Sequence, residues 1–545
     1  MSEGRTVCMS LIVIEDNDVA TCTCLIRDNA VVPLRSIFPV ELQVPSRSDS
    51  PRPREDQISP FSSVLARNLS VVVSEEVFRS GDSVTQSDWD ALSELGEPTS
   101  ARDAHLLGLL TDDSLDRLFY AHGPMPAGVP MERVEGSDEP MADDWVTVHR
   151  RQVDSSTPRG TWASHQARWR QGQSVSFAVM VGAFENVDLA GTIWADKVFG
   201  TDASHEQREA ARSDAAMIVA AQAVHASVVV TTRKFALEAP PQLLGVIQVV
   251  TPEQALPLIG LYMRSRRRYY FTKGRGVSYS LNANSFWGLN AQGLLPSVER
   301  WQRSSYLVDE KIGAETCRWL TNSVVERVAR ALRARDRIHL ALIADADNDS
   351  ADELLDNLDL LLVSLLGAFD AAAKVADLAA NVHGQPHQTK WQNDQWRRRV
   401  GETFPTVEDL VGPSTRGGRV FHVQRLLRNS VHDEMISAVR LETQQPKRRE
   451  NIIGLPADLR ARLLDHVQHL GGPEIWGVQE IVADQLHAQP GILVEQLLAE
   501  SLDLLDGLID ATTLAGKPAD AVQEFDPYDL GPHFPPALLR LQLGL

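Results

Sequence analysis

Cysteine is scarce in this chain of 545 residues, with only Cys8, Cys22, Cys24 and Cys317 present. Cys22 and Cys24 are one residue apart, too close for an ordinary disulfide and short of a zinc knuckle's two-residue spacing. A disulfide scaffold is excluded, and reduced buried thiols are expected. Long apolar runs are missing too. The richest stretch, 354–373, is broken by Asp356, Asn357, Asp359 and Asp370, so it does not supply the ~20 apolar residues of a membrane helix. The first apolar run, 11–14, stops at Glu15 and Asp16, which leaves no signal-peptide core. The expectation is a soluble cytoplasmic protein with no membrane partner. Cations are in deficit, with 53 Lys+Arg against 73 Asp+Glu and a net charge of −20. Any nucleic-acid contact must therefore use a local basic patch. The Gly-rich phosphate loops and the nucleophile-elbow motif are absent, which counts against P-loop ATPases, Rossmann dehydrogenases and α/β-hydrolases.

What is present is ordinary globular material, 43% hydrophobic and 23% charged. The length implies two or three domains. Residues 10–14, 22–26, 30–40 and 69–73 read as strands, and the Pro- and Ser-rich 44–62 and the Pro-, Met- and acid-rich 123–144 as irregular insertions. An α/β block follows. Strand 175–181, helix 206–224, the β-branched run 226–231 and strand 246–250 lead to a helix opened by Thr251, Pro252 and Glu253. That order implies a parallel sheet covered by helices. From 316 to 513 helical periodicity dominates, with candidates at 316–335, 350–381, 420–441, 457–470, 474–487 and 492–509. Asn348, Asp349 and Ser350 offer caps for the second of these. Residues 514–545 read as a Pro-rich surface tail.

The segment 421–434 carries the most chemistry. On a helix, Arg425, Arg428 and His432 fall at i, i+3 and i+7, on one face. Guanidiniums engage phosphate oxygens bidentately, and a neighbouring imidazole moves protons near neutral pH. Together they suit metal-free RNA cleavage, with Asn429 orienting the group. Arg428, Asn429 and His432, late in a helical domain, resemble the signature of HEPN domains. That signature is an Arg, a polar residue, and a His after four to six intervening residues. Three residues separate Arg428 from His432, and Leu426 follows Arg425 where a polar residue is expected. The resemblance implies a helical domain and ribonuclease activity in a toxin-like or phage-defence setting. It also implies a homodimer with two motifs facing each other, and no cofactor for the Arg/His site.

Residues 213–221, 227–232 and 249–253 resemble the C-terminal half of PIN-like domains. There, Asp214 matches an acid that starts a helix, a candidate ligand for Mg²⁺ or Mn²⁺. The position where the family carries a further acid reads Thr231, Thr232, Arg233 and Lys234. A cation there repels a metal, so the region is expected to be PIN-like in fold and degenerate in chemistry. Residues 264–275 hold Arg264, Arg266, Arg267, Arg268, Lys273 and Arg275 beside Tyr269, Tyr270 and Phe271, the best nucleic-acid footprint in the chain. The acidic run 345–356 fits a helix start better than a calcium loop, and His383 and His387 lack a third ligand.

The expected architecture is α/β plus all-α. A PIN-like parallel-sheet region, 1–260, leads through a basic, aromatic connector, 261–315, to a HEPN-like helical bundle, 316–513. RNA cleavage or binding is the leading function. The alternative is a non-catalytic, dimerising scaffold with a degenerate PIN-like region.

Overall fold

The computed structural model describes strands at 10–15, 18–23, 70–74, 117–125, 145–150, 165–171 and 174–179, and position 77. It then describes 183–514 except 224–225, 246, 274–276, 313–314, 344–346, 386, 431–435, 445–446 and 483–484, and finally 539 and 543. The strand expected at 30–40, the insertion at 44–62 and nearly all of the tail lie outside the described residues. Two compact units divide the chain. Unit 1 is Met1–Met263 with Thr272–Ser278, and unit 2 is Arg264–Phe271 with Tyr279–Leu545.

Unit 1 contains β1 (Ser10–Glu15), β2 (Asp18–Thr23), β3 (Ser70–Ser74), β4 (Arg117–Met125), β5 (Trp145–Arg150), β6 (His165–Gln171), β7 (Ser174–Val179), β8 (Val228–Val230) and β9 (Gln248–Val250). They form one sheet of order β2-β1-β7-β6-β5-β4-β3-β8-β9. The run from β5 to β9 is parallel and the rest antiparallel. Val71 to Val73 and Val228 to Val230 are buried, as continuous β-branched runs demand when both sheet faces are covered. The helices are α1 (Ala183–Leu189), α2 (Ala195–Phe199), α3 (His205–Ala223), α4 (Lys234–Leu237), α5 (Pro241–Leu244) and α6 (Pro252–Ser265). Ala211, Ala215 and Ile218 of α3 share one core with Val72 and Val229. Thr251 caps α6 reciprocally: Gln254 N donates to Thr251 Oγ1 at 3.3 Å, and Thr251 N donates to Gln254 Oε1 at 3.1 Å.

Unit 2 is led by helices: α7 (Ala283–Leu294), α8 (Val298–Ile312), α9 (Thr316–Ile343), α10 (Asn348–Ala380), α11 (Asp394–Thr403), α12 (Thr406–Val411), α13 (Arg416–Ser430), α14 (Arg460–His469) and α15 (Pro490–Ala511). Residues 283–312, read as connector, are two helices whose Phe286, Trp287 and Trp301 join the core of α9 and α10. Trp301 Nε1 donates to Thr512 O at 2.6 Å, tying α8 to the end of α15. Asp347 caps α10 in a reciprocal box with Ser350, one residue earlier than the expected caps.

The helical expectation fails in two places. α13 ends at Ser430 rather than 441, and 474–487 forms no helix. Strands β12 (Ser437–Gln444), β13 (Lys447–Gly454), β14 (Val478–Val482) and β15 (Gln485–Ala488) form an antiparallel sheet of order β12-β13-β15-β14 instead. Gly477, at φ +64°, takes a backbone conformation that breaks a helix before Val478. Near β14's end the register shifts between Glu480 and Val482, a bulge. Strands β10 (Tyr270–Lys273) and β11 (Val277–Ser280) form a separate two-stranded sheet. The chain is thus mixed α/β with a helical bundle. Among the described residues no helix is long and apolar enough to cross a membrane.

Candidate functional site

A cationic cluster in unit 2 is assembled by four elements around one carboxyl. Asp370 and Lys374 lie one turn apart on α10. Phe421 of α13 meets Phe369 edge-on at 5.5 Å, and Arg428, seven residues on, acts on Asp370 electrostatically. Arg327 reaches over from α9. A Cβ built on Gly367 would meet the Arg327 guanidinium, so Arg327 lies directly over this glycine. Lys390 comes from the loop after α10. That loop is fixed where Trp391 Nε1 donates to Phe369 O at 2.9 Å, one residue before Asp370. Trp396 Nε1 and Gly384 N both donate to Asp377 Oδ1, at 2.8 Å and 3.0 Å, holding the same loop against α10.

The result is one half-buried carboxyl among Lys390, Lys374, Arg327 and Arg428. Burial pushes the Asp370 carboxyl above its ordinary value, against the pull of all four cations. With Asp370 ionised the cluster still carries a surplus of three positive charges in a chain of net charge −20. It is a local basic patch of the kind an acidic chain needs to hold phosphate.

The structure separates the two arginines proposed from sequence. Arg428 faces the Asp370 cluster, whereas Arg425 lies beside His422 and beside His466 of α14. The approach angles follow from the 300° turn between positions three apart on a helix. Asn429 is exposed, next to Arg428. His432 lies outside the described residues. Asp370 and Lys374 were missed in sequence. Their signal was an acid and a base four residues apart in an otherwise Ala-rich stretch.

The other expected residues fare differently. Arg264 is not available to a nucleic acid. It is buried and donates through Nε and Nη2 to Asp336 of α9, which pays for the loss of its hydration. Its guanidinium also lies 5.7 Å from the Trp287 ring centroid. Arg266, Arg267 and Arg268 are exposed, and Tyr269 is half-buried against Phe286. The side chains of Tyr270 and Lys273, and residue Arg275, lie outside the described set. Arg264 belongs to a second charged cluster. Arg335 Nη1 lies 3.0 Å from Asp336, Arg335 Nε donates to Glu495 Oε1 at 2.6 Å, and His339 Nε2 contacts the same oxygen. Burial would raise the Asp336 carboxyl, but Arg264 and Arg335 hold it below its ordinary value.

In unit 1, Asp214 stands in the middle of α3 rather than at its start, so the helix-start reading is overturned. It is buried and paired with Arg233 Nη1 at 3.1 Å. A guanidinium against that carboxylate disfavours a divalent cation, so the residues present do not fit Mg²⁺ or Mn²⁺ at Asp214. Among the described residues no group of three His, Cys, Asp or Glu is placed to hold a metal ion. The His383 and His387 pair is exposed in the loop after α10.

No protein-family model, no curated protein and no solved structure matches the chain.

Proposed function

We propose that unit 2 binds an RNA phosphodiester at the Arg428 cluster and cleaves it without metal, in the manner of a HEPN-like ribonuclease. The observation that carries this reading is the imbalance of four cations around the single half-buried Asp370. The negative charge of a phosphodiester offsets part of that surplus, and its transition state, which carries more negative charge, offsets more of it.

In this reaction the 2′-hydroxyl gives its proton to His432 and attacks the adjacent phosphorus. The bond from phosphorus to the 5′-oxygen breaks, and that oxygen takes up a proton. The products are a 2′,3′-cyclic phosphate and a 5′-hydroxyl. Arg428 holds the non-bridging oxygens, Lys374 and Lys390 add charge, and Asp370 positions the cations. His432 is two positions past the end of α13 in sequence. A toxin-like or phage-defence setting and a homodimer belong to the same reading. A PIN-like ancestry for unit 1, inactive in chemistry, accompanies it, supported by the parallel β3-β8-β9 strands and the Asp214–Arg233 pair.

The test is cleavage of a labelled mixed-sequence RNA in EDTA by the native chain, Arg428→Ala and His432→Ala. Cleavage that survives EDTA, leaves cyclic-phosphate ends and falls about 100-fold or more in each variant is expected. Cleavage seen only with Mg²⁺ and unchanged in both variants would sink the reading. A second reading, a dimerising scaffold, is favoured by Leu360 and Val363, large apolar side chains exposed on α10. RNA left intact by a chain that dimerises through those residues would support it.

A further inference from the structure

We propose that Arg419, His422 and Arg425 of α13, with His466 of α14, hold a second phosphate of the RNA strand, next to the one at Arg428. The inference rests on the proposed function and extends its substrate site along the helix.

Arg419, His422, Arg425 and Arg428 recur at every third position of α13. Each step rises about 4.5 Å and turns by about 60°, so the four side chains form a spiral row rather than scatter. The middle of that row carries its own unfinished chemistry. The rings of His422 and His466 stack with centroids 5.2 Å apart and planes 2° from parallel. His466 Nδ1 and Arg425 Nε are buried and find no hydrogen-bond partner among the described residues. Buried polar atoms of this kind are costly until something binds them. Arg419 lies beside the pair, 3.3 Å from Asp465, whose side chain is largely exposed.

The groups facing the two imidazoles are mostly cationic. His422 faces Arg425, His466, Arg397 of α11 and Arg419. His466 faces Asp465, Arg419, His469 and Arg425. Arg397 is itself committed to Glu408 and Asp394. Burial pushes both imidazoles below their ordinary value; the neighbouring guanidiniums add to this, and Asp465 opposes it at His466. The stacked pair is therefore neutral near neutral pH, and two adjacent imidazoliums need an anion beside them. A phosphate oxygen supplies that charge. Binding at this place takes up protons, so the strand is held more tightly as the pH falls.

The experiment uses the full chain, EDTA and a labelled single-stranded 2′-O-methyl RNA, which binds but has no free 2′-hydroxyl to attack. Fluorescence anisotropy between about pH 7.5 and 5.5 reads affinity across the imidazole range. The native chain is expected to tighten on the order of tenfold. The double variant His422→Gln with His466→Gln flattens that dependence, and Arg428→Gln weakens binding but keeps the slope. A slope that survives in the double variant overturns the proposal, as does absence of binding at every pH. Displacement by an equal concentration of inorganic phosphate overturns the assignment to an RNA strand. Cleavage of unmodified RNA by the same variants reads the proposed function separately. A chain that cleaves saturating RNA with no pH slope in binding loses this inference and keeps that reading.

Discussion

Two charged clusters of unit 2 share helix α9 and differ in their balance. Around Asp336, two arginines meet two carboxylates, Asp336 and Glu495, with His339 alongside. Around Asp370, four cations meet one carboxyl that is only half-buried. The first arrangement is closed, since every full charge has an opposite within the protein. The second is open, since four cations outnumber the one carboxyl they act on. A buried, balanced network fixes geometry, whereas a half-buried, unbalanced one is suited to receive charge.

The largest expected effect breaks the closed cluster. Asp336→Ala leaves the buried Arg264 and Arg335 without their shared carboxylate. It is expected to cost about 3–5 kcal/mol, read by urea unfolding. The open cluster should answer oppositely. Arg428→Ala is expected to leave the unfolding midpoint nearly unchanged, within about 0.5 kcal/mol, while cleavage falls. A comparable loss of stability in both variants would erase the distinction between the clusters.

The pH dependences sharpen it. Asp336 sits below its ordinary value of 3.8 in the fold, so it stabilises above that pH. That contribution is lost as pH falls through its folded value. Asp370 sits above the same ordinary value, so its ionised form costs stability at neutral pH, and the cost disappears in acid. Asp370→Asn is expected to match or exceed native stability at neutral pH and to converge with it below about pH 4. A neutral-pH midpoint clearly below native would show Asp370 to be a structural ion-pair member. A smaller effect comes from the tether of the open cluster. Trp391→Phe removes the hydrogen bond to Phe369 O at a cost of about 1 kcal/mol, and it should weaken RNA binding by freeing Lys390. Smallest of all is Cys317. Burial pushes its thiol up to about 12, so mass spectrometry should find that cysteine unalkylated in the native chain.

How much of this was legible in sequence depends on the range of the interaction concerned. The β-branched runs 71–73 and 228–230 and the Thr251 cap announced themselves, because burial on both faces and capping are local signals. The helix written through 420–441 was misread past Ser430. Over 437–444 a short alternating run is indistinguishable from helix until its partner β13 is known. Arg264 looked like a nucleic-acid contact because its partner, Asp336, is 72 residues away. Arg428 was visible, but the three helices and loop that surround Asp370 come from positions 327 to 428, a convergence no local pattern encodes.

The irregularity near the end of β14 carries a consequence beyond the fold. β14 stands at one edge of the four-stranded sheet, where unpaired backbone groups invite a strand from another molecule. Its register breaks between Glu480 and Val482, and Arg460 of α14 clasps Glu480 from the side. A growing cross-strand ladder needs a flat, unbroken template. Here it meets a kink and a charge, so this edge protects a crowded, concentrated solution of the protein from assembling into fibres.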